Sequence, residues 1–99
     1  MKIPPFSLRY KLLDFLYRVY PESVDEFTIL EVFYEYHKVD NIKKQLHYLI
    51  DAGYVESKEI AVMFGSKKKT LVYKISPKGI DLINGIIQDK AVPIPEEDE

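Results

Sequence analysis

The sequence predicts an α+β domain in which three helices precede a β-hairpin and a fourth helix follows it. Three observations support this order. Apolar residues recur at helical spacing as far as Gly53, and after it they alternate. Two runs rich in β-branched and aromatic residues flank the turn signal Gly65-Ser66. The phrase "SPKG", residues 76–79, then carries the signals of a new helix start.

The composition favours one folded domain. The chain has 99 residues, of which 46% are hydrophobic, which is enough for a single modest core. It has no cysteine, so disulfides, thiolate metal sites and cysteine nucleophiles are excluded. The start, "MKIPPFSLRY", has neither the apolar stretch of a signal peptide nor a membrane span. We therefore expect a cytoplasmic protein that does not enter a membrane.

The first helix is predicted to follow an extended arm. Two prolines place residues 1–6 in the arm, because proline is excluded from a helix interior. Ser7 is the expected N-cap of a helix that runs to about Tyr20 and ends before Pro21. One face of this helix carries Leu8, Leu12, Phe15, Leu16 and Val19.

The second helix is predicted over residues 29–36. Thr28 and Glu31 stand in capping-box register at its start. The connection before it has room for a minor edge strand between Val24 and Phe27.

The third helix is predicted over residues 41–52, with Asp40 as its N-cap and Gly53 just past its end. Its periodicity separates an apolar face from a polar one. The apolar face carries Ile42, Leu46, Leu49 and Ile50. The other face carries Asn41, Lys44, His47, Tyr48 and Asp51.

In the hairpin, a two-residue turn at Gly65-Ser66 assigns apolar residues of both strands to one sheet face. These residues are Ile60, Val62, Leu71, Tyr73 and Ile75. Val55 is an odd number of residues from Ile60, so a regular strand would place it on the opposite sheet face. A bend or bulge is therefore expected near Ser57.

The fourth helix is predicted from its N-cap Ser76 to about Lys90, with Pro77 in the first helical position. Residues 91–99 contain prolines and end in four acidic residues, so we expect a disordered tail. Residues 7–90 then form the domain.

Charge is divided unevenly along the chain. Residues 38–78 contain nine lysines and four acidic residues, an excess of five positive charges, although the whole chain has a formal net charge of -2. This asymmetry indicates a basic working segment on an acidic body.

Catalytic chemistry finds little support. His37 and His47 have no carboxylate or second histidine at metal-ligand spacing. The four glycines form no phosphate-binding or nucleophile motif. We predict no enzyme activity, no metal and no cofactor.

Two phrases carry a resemblance. "LHYLIDAGYV", residues 46–55, and "YKISPKG", residues 73–79, resemble the winged helix-turn-helix superfamily of small bacterial, archaeal and phage transcriptional regulators. In that superfamily the first phrase closes the recognition helix and enters the hairpin, and the second leaves the hairpin for a final helix. The resemblance covers roughly residues 7–90. It implies a winged helix-turn-helix fold and a double-stranded DNA partner.

The resemblance also implies the site. The helix over residues 41–52 lies in the major groove, and the hairpin tip at residues 64–70, the wing tip, contacts the DNA backbone. Asn41 and Lys44 are suitable hydrogen-bond donors to base edges, whereas Lys43 is better placed to contact phosphate. The full set of expected DNA contacts is Asn41, Lys43, Lys44, His47, Tyr48, Lys67, Lys68 and Lys69. The alternative is that these polar residues only solubilise a helix and a turn.

Two further expectations concern protein contacts. Residues 22–35 carry five acidic residues and no basic one, which fits poorly with a helix that crosses near DNA. The alternative function is therefore a winged-helix protein-protein interaction module that does not bind nucleic acid. On the fourth helix, Leu82 and Ile86 point more than a right angle away from Ile80. They are the predicted interface of a homodimer.

The wing lysines generate a first prediction. If Lys67, Lys68 and Lys69 all reach phosphates, replacing the three by Ala flattens the slope of log affinity against log salt by about two to three units. Duplex DNA of mixed sequence is titrated at several salt concentrations. An unchanged slope would mean that the wing tip does not contact the backbone.

Overall fold

The computed structural model describes residues 5–61 and 68–95 and confirms the predicted class and order of elements. The described residues form helices α1 (Pro5–Val19), α2 (Glu26–Phe33), α3 (Val39–Asp51) and α4 (Pro77–Ile83). They also form strands β1 (Val24–Asp25), β2 (Val55–Ala61) and β3 (Lys69–Ile75). The strands make one antiparallel sheet in the order β1-β3-β2.

Three helix starts differ from the expected ones. α1 begins at Pro5 and not after Ser7, because proline in the first helical position loses no hydrogen bond. Asp25, not Thr28, caps α2, since its Oδ2 accepts from the Thr28 N–H at 3.1 Å and its Oδ1 accepts from the Thr28 hydroxyl at 2.7 Å. α3 begins at Val39, so Asp40 lies inside its first turn instead of capping it.

The hairpin register differs by one residue from the expected one. Ala61 pairs with Lys69, whereas a two-residue turn at Gly65-Ser66 would pair it with Thr70. The shift places Val55 directly opposite Ile75, and both side chains are buried. Pairing runs through without a bulge, so the bulge predicted near Ser57 is wrong. The turn itself lies outside the described residues.

The same shift changes which residues share the inner sheet face. Ile60 pairs with Thr70, so it lies on the face opposite to that of Tyr73 and is exposed. Val62 lies outside the described residues.

The core forms where α1, α3 and the inner sheet face meet. Buried leucines of α1 pack against the apolar stripe of α3 and against the hairpin base. Its fully buried side chains are Leu8, Leu12, Leu13, Leu16, Ile29, Ile42, Leu46, Leu49, Ile75, Leu82 and Val92.

Two helices end in the same way. Gly53 and Gly85 have φ angles of +88° and +78°, which side chains rarely adopt. After α3, the Tyr54 N–H bonds to the Leu49 carbonyl at 2.9 Å, and the helix ends before Gly53 as predicted. After α4, the Ile86 N–H bonds to the Asp81 carbonyl at 2.9 Å, which completes a Schellman motif. α4 therefore ends at Ile83, and the prediction that it continues to about Lys90 is wrong.

The chain after α4 packs back onto the domain. Val92 is completely buried, and the Arg9 Nη1 donates to the Ala91 carbonyl at 3.0 Å. The hydroxyl of Tyr54 donates to Asp89 Oδ2 at 2.5 Å. Residues 91 and 92 therefore contact the domain that is predicted to span residues 7–90. Residues 96–99 lie outside the described part.

The two predicted dimer-interface residues have different surroundings. Leu82 is only 1% exposed within the chain, so its side chain packs into the core of this chain. Ile86 is 70% exposed, but it lies beyond the end of α4. Among residues 5–61 and 68–95, no helix combines the length and apolar character that crossing a membrane needs.

Replacing these two residues by Ala checks their packing. Leu82→Ala is expected to lower the free energy of unfolding by about 2–5 kcal/mol, because it leaves a cavity. Ile86→Ala is expected to change it by less than about 0.5 kcal/mol. Urea denaturation measures both, and equal small losses would contradict the burial of Leu82.

The Tyr54–Asp89 hydrogen bond predicts a pH dependence. The Tyr54 hydroxyl, followed by the Ala91 N–H, holds the pKa of Asp89 below its ordinary 3.8, and burial raises the pKa of Tyr54 to about 12. A carboxyl whose pKa is lowered on folding stabilises the fold above its unfolded pKa, and the contribution is lost as the pH falls through the folded pKa. Tyr54→Phe is therefore expected to cost about 1 kcal/mol near pH 7 and less near pH 2.

Tyr17→Phe is the matched control. The Tyr17 hydroxyl donates to the uncharged Asn84 side chain at 3.2 Å, so its loss carries no carboxylate titration. Urea denaturation of both variants at the two pH values makes the comparison. A deficit in Tyr54→Phe that does not change with pH would rule out the coupling to Asp89.

Candidate nucleic-acid interface

The outward face of α3 forms the centre of the candidate interface. Ile42, Leu46 and Leu49 are buried against the core, and this burial turns the intervening polar residues outward. Lys43, Lys44 and His47 are exposed, whereas Asn41 and Tyr48 are half-buried. The structure thus brings all five predicted α3 residues onto the accessible side of one helix.

Asn41 lies in a hydrogen-bond chain. Its Oδ1 accepts from Gln45 Nε2 at 3.1 Å, and Gln45 Oε1 accepts from Arg9 Nε at 2.7 Å. Because the oxygen of Asn41 is engaged inside the protein, its amide nitrogen is the atom that can face a base edge as a donor. Gln45 itself is only 5% exposed.

Tyr48 is supported by a residue that sequence reasoning missed. The guanidinium carbon of Arg9, on α1, lies 3.7 Å from the centre of the Tyr48 ring. One ring face is therefore covered by a cation–π contact, and the other parts of the side chain remain for an outside partner. No local pattern in the sequence identifies Arg9, because its partners are on α3 and in the segment after α4.

Lys43 does not stand alone on the surface. Its Nζ lies 3.4 Å from Glu26 Oε1, and the hydroxyl of Tyr73 donates to Glu26 Oε2 at 2.8 Å. Burial, followed by this hydrogen bond to Glu26, raises the pKa of Tyr73, so the hydroxyl stays protonated. One carboxylate thus joins the first residue of α2 to α3 and to β3.

His47 has an acidic neighbour. Its Nε2 lies 3.4 Å from Asp51 Oδ2, and both side chains are mostly exposed. An exposed pair of this kind contributes little stability, but it places a negative charge on the second half of the α3 face. The first half, with Asn41 and Lys44, is the more suitable part for contact with a polyanion.

Two of the three wing-tip lysines are described. Lys69 starts β3 and Lys68 precedes it, and both are exposed. Residues 64–67 of the predicted wing tip, with Lys67 among them, lie outside the described residues. The β2–β3 ladder follows α3 directly, since only Ala52 to Tyr54 separate the two elements.

The outer face of α2 has a different character. Phe27 is 67% exposed and Tyr34 is 60% exposed, and Glu31 and Glu35 lie exposed between and beside them. Ile29 on the inner face is completely buried, so the outer aromatic residues are not part of the core. We call Phe27 and Glu31, together with Tyr34 and Glu35 just past the end of the helix, the α2 outer face.

Outside α3 and the wing, an open groove of about 850 Å³ lies between α1 and the segment after α4. Its polar residues include Asp14 and Arg18, which pair with each other at 2.8 Å. Within the described ranges there is no cluster of three or more His, Asp or Glu residues that could hold a metal ion.

Comparison with solved structures identifies the fold. The chain is similar to PadR of Bacillus subtilis in a crystal structure of its complex with operator DNA, with a TM-score of 0.64 and 21% sequence identity. The match covers 93% of this chain and 52% of the PadR chain, so this chain spans about half the length of PadR. No family model and no curated protein matches the sequence. The likeness confirms the winged helix-turn-helix fold.

Proposed function

We propose that the protein binds double-stranded DNA and acts as a transcriptional regulator. The observation that carries this proposal is the outward polar face of α3, with Asn41 and Lys44 on its first half, followed along the chain by the hairpin that carries Lys68 and Lys69. The fold is shared with PadR, whose structure is known in complex with operator DNA. A winged helix of this kind inserts α3 into the major groove and places the wing along the backbone.

Each residue has a distinct proposed role. The amide of Asn41 and the ammonium of Lys44 contact base edges near the start of α3. Lys43 and the wing lysines Lys67, Lys68 and Lys69 contact phosphates and add affinity without sequence choice. His47 and Tyr48 add contacts at the flank.

The proposal includes a homodimer that works in the cytoplasm without a catalytic activity. Two modest half-site interactions reinforce each other because the second binds at a high effective concentration. Ile86 is the residue of the predicted interface that is exposed for such a contact. A monomeric mass by light scattering at tens of micromolar protein would contradict the dimer.

A second candidate function is a protein-protein interaction module. The α2 outer face favours it, because exposed aromatic residues are typical of protein contacts. The neighbouring carboxylates repel nucleic acid. No binding to duplex DNA at about 50 mM salt would favour this function over DNA binding.

A matched pair of variants tests the proposed α3 contact. Lys44→Ala is expected to weaken binding to a selected duplex by about 1–3 kcal/mol and to relax the base preference at one position. Lys90→Ala removes the same charge from the segment after α4 and is expected to leave the base preference unchanged. Selection of bound sequences from a random duplex pool, followed by titration, measures both effects.

The control variant also separates two explanations. If Lys44→Ala and Lys90→Ala weaken binding equally and neither alters base preference, net charge explains the binding and α3 does not lie in the groove. If only Lys44→Ala changes the selected sequence, the groove contact is supported.

A further inference from the structure

Glu26 of α2 contacts residues of both α3 and β3, and no sequence pattern predicts these contacts. It is the first residue of α2, and its side chain is 23% exposed. One carboxylate oxygen is 3.4 Å from Lys43 Nζ on α3, and the other accepts the Tyr73 hydroxyl of β3 at 2.8 Å. Glu26 thus brings an acidic side chain of residues 22–35 into an ion pair with a residue of the candidate interface.

We propose that Glu26 sets the affinity of the protein for DNA by holding Lys43 in the free state. Glu26 is a positioning residue, since it acts on DNA through Lys43 and need not touch DNA itself. In the free protein the carboxylate neutralises this charge of α3, and a DNA phosphate must compete for it. The inference rests on the proposed function and adds a regulation of the same site.

The two contacts of Glu26 differ in strength, and this difference allows the exchange. Tyr73 is 5% exposed and held in the ladder of β3, so its hydroxyl fixes one carboxylate oxygen. The Lys43 side chain is 52% exposed, and its 3.4 Å contact is longer than a strong charge-assisted hydrogen bond. An ion pair whose lysine is this exposed to water is weak and yields to competing ions.

The carboxylate is not left without partners when Lys43 moves to a phosphate. The Tyr73 hydroxyl remains bonded to it, and the N-terminus of α2 carries partial positive charge that favours an anion at this position. The exchange therefore replaces one weak ion pair by a phosphate contact and leaves the packing between α2 and β3 intact.

Glu26→Gln tests the proposal, because glutamine keeps an acceptor for Tyr73 and removes the charge that holds Lys43. We expect the variant to bind a mixed-sequence duplex about three- to tenfold more tightly at about 100 mM salt, with a log–log salt slope steeper by about one. In a Lys43→Gln background the same change is expected to raise affinity less than about twofold. Thermal unfolding confirms that each variant is folded.

Glu31→Gln is the matched control, since it removes an equal charge from the exposed side of the same helix. An equal gain in this control would show general charge repulsion and overturn the role of Glu26. A folded Glu26→Gln protein with wild-type or weaker affinity would also overturn it, as would a gain that persists without Lys43. If the wild-type protein itself does not bind DNA at about 50 mM salt, the proposed function and this inference both fail.

Discussion

The burial of the α3 stripe against α1 is the contact on which the rest of the structure depends. Ile42, Leu46 and Leu49 are almost completely removed from water. Their burial stabilises the fold through the hydrophobic effect, at roughly 1.5–3 kcal/mol for each side chain. It also fixes the rotation of α3, because a helix has only one orientation that buries these three residues together. The outward position of Asn41 and Lys44 is therefore a consequence of core packing.

The sequence predicts those features that depend on local pattern. The α3 stripe, the Gly53 helix end and the Ser76 cap with Pro77 behind it are all local, and each is confirmed. Ser76 Oγ accepts from the Gly79 N–H at 3.1 Å. The Asn84-Gly85 pair after α4 carries an equally local signal, but the apolar residues beyond it favoured a longer helix.

Other features depend on contacts between distant residues. The hairpin register is set by burial of Val55 opposite Ile75, which outweighs the turn preference of Gly65-Ser66. Arg9 and Glu26 join elements that are far apart in the chain, so no spacing rule connects them to α3. Local sequence patterns therefore do not identify residues near the site whose partners lie on other elements.

The structure changes the meaning of the charge excess over residues 38–78. Lys43 is paired with Glu26, and Lys78 Nζ donates to the Ala52 carbonyl at 3.0 Å on the body of the domain. Lys74 lies over the ring of Tyr20, with 5.6 Å between Nζ and the ring centre. The lysines that remain for the proposed contact with DNA are therefore fewer than the count suggests. Under the proposed function each domain makes few phosphate contacts, so the proposed homodimer, with two half-sites occupied together, is a physical means of reaching useful affinity without adding charge.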